Sequence, residues 1–78
     1  MMRYGVVLFH TTSAVMRAEK LLIGERYSIK LIPTPRQFSS DCGIALRFDW
    51  SYREEVRSVL DKAQVEFDTI NYLGDKGV

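Results

Sequence analysis

The chain has 78 residues, 46% hydrophobic and 27% charged, and its 11 Lys and Arg nearly balance 10 Asp and Glu for a net charge of +1. That is one small domain with a core worth roughly a few kcal/mol net, and a charge balance with no general pull toward nucleic acid or a membrane surface. One cysteine excludes an internal disulfide framework and, without His or Cys partners at ligand spacing, a self-contained zinc site. The cysteine content suits a reducing compartment, and the apolar run after Met1-Met2-Arg3 ends at His10, too short for a signal-peptide core or a bilayer span, so a cytoplasmic location is expected.

Tyr4-Gly5-Val6-Val7-Leu8-Phe9 is a nearly unbroken apolar run up to His10, the pattern of a central strand covered on both faces. Thr11-Thr12-Ser13 offers hydroxyl caps for a helix from about Ser13 to Ile23 or slightly beyond, in which Ala14, Val15, Ala18, Leu21 and Leu22 form one stripe and Gly24 is a candidate stop. Tyr27 to Ile32 alternates like a half-exposed strand near a sheet edge, and Ile44 to Phe48 alternates again. Asp49 or Ser51 is placed to cap a second helix with Tyr52, Val56, Val59, Leu60 and Ala63 as its apolar stripe. Glu66 to Leu73 reads as a last strand whose broken alternation between Phe67 and Ile70 suggests a bulge or a short strand, and 74–78 as a flexible tail.

The order βαββαβ predicts an α+β, ferredoxin-like two-layer sandwich over residues 4–73, a four-stranded antiparallel sheet with two helices on one face. In that topology the end of the first strand, the start of the first helix and the loop between the second and third strands share one edge of the sheet.

That loop holds most of the residues not explained by a core. Pro33 and Pro35 stiffen its entry, and Gly43 suggests positive φ or room for close approach beside Cys42. Folding places Cys42 near the first-helix N-terminus, with Thr12, Ser39 and Ser40 as hydroxyl donors, Arg36 as a nearby cation and His10 as a proton donor or acceptor; Asp41 opposes a thiolate unless it pairs with Arg36. A lone cysteine is more often a small buried hydrophobe, but the polar setting of Cys42 favours a functional thiol.

Leu31-Ile32-Pro33-Thr34-Pro35-Arg36 followed by Ser39-Ser40-Asp41-Cys42-Gly43-Ile44-Ala45-Leu46-Arg47, behind a helix carrying Ala18-Glu19-Lys20, resembles the small bacterial domain family known as Se/S carrier protein-like. The resemblance runs from about Tyr4 to Leu73. It implies a non-enzymatic carrier with no cofactor, whose cysteine, here Cys42, holds a persulfide or perselenide received from a donor such as a cysteine desulfurase or a selenium-metabolism enzyme and passes it to an acceptor protein. Arg36, Ser39 and Gly43 map onto the family motif as a supporting shell; His10 does not.

Two other classes use the same residues. A redox-regulatory module would oxidise Cys42 to a sulfenic acid or glutathione adduct. A protein-interaction domain, including a homodimer, would use the open sheet face, with Leu46 as a test position. RNA recognition is set aside, because Gly43-Ile44-Ala45-Leu46-Arg47-Phe48 lacks the basic-Gly-aromatic stacking signature and the net charge is near zero.

Overall fold

A computed structural model describes residues 3–74. The elements run β1 (Tyr4–Leu8), α1 (Thr12–Gly24), β2 (Ile29–Pro33), β3 (Ile44–Asp49), a 3-10 turn (Trp50–Tyr52), α2 (Arg53–Lys62) and β4 (Thr69–Gly74). The strands form one antiparallel sheet in the order β2-β3-β1-β4. This is the ferredoxin-like sandwich, with β1 central and β2 at an edge, as the alternation patterns require.

Strand parity sorts the side chains onto two faces. Val7 and Phe9 of the first strand segment and Leu46 and Phe48 of β3 meet Val15, Ala18 and Leu22 of α1 and Val56 and Leu60 of α2, all buried. Val6, Leu8, Ile32 and Ala45 point the other way and are also buried, beneath Phe38 and Leu73. Leu46 therefore lies in the helix-side core and not on the open face, so a charge there would disrupt folding before it tested association.

The element ends differ from the sequence expectation in instructive ways. Thr11 is the cap of α1, its hydroxyl accepting from the Ala14 amide at 3.2 Å. Gly24 is the last residue of the helix, close to the expected end, and the left-handed residue that closes it is Arg26, at φ 68°. Asp49 caps the 3-10 turn rather than α2, accepting from both the amide and the hydroxyl of Ser51. Those two hydrogen bonds, the hydroxyl's first, hold the Asp49 carboxyl below its ordinary pKa. Strand β4 begins at Thr69, three residues later than expected, and Phe67 belongs to the connection before it. The bulge falls instead at Leu73: Gly5 pairs with Tyr72 and Tyr4 with Gly74. Gly74, expected in the tail, thus closes β4, and 75–78 lie outside the described residues.

Candidate functional site

The β2–β3 loop begins where Pro33 ends an edge strand, the position in a sheet that tolerates a residue without an amide proton. The ladder extends one step further, the Thr34 amide donating to the Gly43 carbonyl at 3.0 Å. Pro35 is buried, and its carbonyl accepts from the Phe38 amide at 3.0 Å, making a turn with Arg36 and Gln37 at its tip. Phe38 then drops onto the face of the sheet that carries no helices. The remaining residues cross the sheet edge to the helix side, where Cys42 enters the main core.

The polar contacts of this corner converge on Cys42. The Thr12 hydroxyl, in the first turn of α1, lies 3.8 Å from Cys42 Sγ. Ser40 Oγ donates to the Phe9 carbonyl at the end of the first strand and accepts from the Cys42 amide. The Thr34 hydroxyl donates to the Cys42 carbonyl at 2.8 Å. His10 Nδ1 faces Asp41 Oδ2 at 3.4 Å, a solvent-exposed pair. The meeting of strand end, helix start and loop that the topology predicts is therefore present, with Thr12 and Ser40 each in contact with Cys42 and His10 at its rim.

The structure does not gather every expected residue. Arg36 and Ser39 are exposed, and among the described residues neither has an ion pair or side-chain hydrogen bond. Asp41 faces His10, so the Arg36–Asp41 pair is not formed. Gly43 has neither a left-handed φ nor a crowded neighbour: a methyl group built on it meets nothing within 4 Å. The thiol of Cys42 is itself buried, the residue being only 4% exposed, because residues 41 to 43 alternate outward, inward, outward as they approach β3. Thr34 and Phe38 were not singled out in the sequence; an aromatic set among polar loop residues was the available signal for the second.

Among the described residues no group of three His, Cys, Asp or Glu side chains could hold a metal ion, and no helix is long and apolar enough to cross a membrane.

The fold is that of a small two-layer α+β domain with one thiol held at the N-terminal turn of its first helix. Residues 4–71 match the family described as "Putative Se/S carrier protein-like", and the chain belongs to that family. No curated protein and no solved structure matches it.

Proposed function

We propose that this protein carries sulfur or selenium on Cys42 as a persulfide or perselenide, between a donor such as a cysteine desulfurase or a selenium-metabolism enzyme and an acceptor protein. Beyond the family itself, the observation that supports this is the seat of the one sulfur nucleophile, 3.8 Å from the Thr12 hydroxyl in the first turn of α1. That end of a helix carries the positive end of its dipole, which favours an anionic thiolate or persulfide.

The transfer balances without an external oxidant. The Cys42 thiolate attacks the outer sulfur of the donor persulfide; the new S–S bond forms on Cys42 as the donor S–S bond breaks, and the donor cysteine leaves as its thiolate. An acceptor nucleophile then attacks the outer sulfur, and Cys42 leaves as thiolate. With one cysteine in the sequence, no neighbouring thiol can discharge the persulfide into an internal disulfide.

Intact-protein mass spectrometry tests this, after incubation with a cysteine desulfurase and cysteine, or a selenocysteine lyase and selenocysteine. A reductant-sensitive gain of one sulfur or selenium, absent in Cys42→Ser, is the expected result. The burial of Cys42 favours a second reading, an interaction domain with a structural thiol. No mass gain, together with a thiol that resists alkylation in the native protein, would establish that reading in place of the first.

A further inference from the structure

With Cys42 only 4% exposed, its sulfur cannot meet a donor persulfide in line, so a carrier with this geometry requires a second state of the loop. We propose that residues 39–43 form a gate that swings Cys42 out of the core, latched by Ser40 and hinged at Gly43. Its use in sulfur transfer rests on the carrier function above; its mechanics do not.

The latch follows from what holds the segment. Among the described residues, the only main-chain hydrogen bond at this end of the loop is the Thr34–Gly43 closure, and none ties residues 39–42. Side chains do that work. Ser40 Oγ bridges the Phe9 carbonyl and the Cys42 amide, and so joins the gate to the end of the first strand through one hydroxyl. The Thr34 hydroxyl also holds the Cys42 carbonyl at 2.8 Å, but from the other end of the same loop. The remaining ties, to the first strand's end and α1, are weaker than that of Ser40. The His10–Asp41 pair is exposed, 49% and 82% at its two side chains, where an ion pair contributes little. The Thr12–Cys42 contact is long and involves sulfur, a poor hydrogen-bond partner.

The hinge follows from what Gly43 does not do. The closed conformation needs no glycine there, since φ is not left-handed and a methyl group would touch nothing within 4 Å. The extra backbone freedom of glycine is thus available to a conformation other than the closed one. The other half of the loop is pinned by the buried Pro35, the Pro35–Phe38 turn and the seat of Phe38 on the opposite face. Motion is confined to the residues between Phe38 and β3.

The test is the rate at which Cys42 of the full chain reacts with iodoacetamide under native conditions, followed against low concentrations of urea. A gate predicts a rate nearly independent of urea well below the unfolding transition, the mark of a local opening that exposes little new surface. Ser40→Ala should raise the rate about tenfold, the scale of losing the two hydrogen bonds of one hydroxyl. Gly43→Ala, which fits the closed state, should slow it several-fold with no loss of global stability. The gate is overturned if the rate follows urea with the full slope of global unfolding, if Ser40→Ala leaves the rate unchanged, or if Gly43→Ala leaves the rate unchanged. No donor enzyme is involved, so a protein that alkylates through the gate yet takes up no sulfur would remove the carrier function and leave the gate standing.

Discussion

Gly5 occupies a position in the central strand where even a methyl group has no room. A Cβ there would stand 2.6 Å from Phe48 Cζ and 2.6 Å from Trp50 Cε3. Phe48 pairs directly opposite Gly5 and is 2% exposed, so its ring cannot retreat. Gly5→Ala should therefore cost about 1–3 kcal/mol by overpacking, and in a domain this small each kcal/mol lowers Tm by roughly 4–8 °C. A urea midpoint equal to that of the wild type would show that the rings yield. The sequence shows Gly5 only as an interruption in an apolar run, because the crowding is created by two aromatic residues more than forty positions away. Cys42 poses the converse problem. Its place beside the start of α1 was legible from the element order, whereas its burial was not, because Ser39, Ser40, Asp41 and Gly43 have the composition of a solvated loop and the inward turn of one residue is a matter of strand parity carried back from β3.

Both helices end in the same way, and neither uses a glycine to do so. After α1 the Tyr27 amide donates to the Leu22 carbonyl and the Arg26 amide to that of Ile23; after α2 the Val65 amide donates to Leu60 and the Gln64 amide to Asp61. These are paired Schellman closures, with Arg26 at φ 68° and Gln64 at φ 57° in the left-handed position. Tyr27 and Val65, the residues after each closure, pack against the same core as Leu22 and Leu60. Core packing at those residues sets where each helix stops; α1 does end at Gly24, but the left-handed closure falls two residues later, on Arg26. Arg17 completes the α2 end by donating to the Ala63 carbonyl at 2.8 Å, although its sequence position marks only a solvated helix face. Gly24 has open space around it and ordinary helical φ, so moving the glycine should help twice. Arg26→Gly relieves a left-handed side chain and should add about 0.5–1 kcal/mol, and Gly24→Ala removes backbone freedom at the last residue of α1 and should add less, about 0.5 kcal/mol. Chemical denaturation of the double variant checks this, and a midpoint below that of the wild type would contradict the assignment of Arg26 to the strained position.

At the scale of the molecule, hydrophobic periodicity and element order were enough for the topology, since β1 reads as covered on both sides and β2 as an edge. What they could not supply is how a sheet with helices on only one face buries Val6, Leu8, Ile32 and Ala45 on the other. The β2–β3 loop answers that. It grips the sheet edge from both sides, with Phe38 on the helix-free face and Cys42 in the helix-side core, so the segment that carries the candidate site is also a structural clasp. The two grips separate in a testable way. Phe38 is half-buried, so Phe38→Ala should cost about 1–2 kcal/mol, less than truncation of a fully buried ring, by uncovering the apolar residues beneath it. A loss of that size in urea denaturation is expected, with a larger exposed apolar surface seen as increased binding of a hydrophobic dye to the folded protein. If stability and dye binding were both unchanged, Phe38 would not be the cover of that face, and the loop would hold the sheet by its Cys42 side alone.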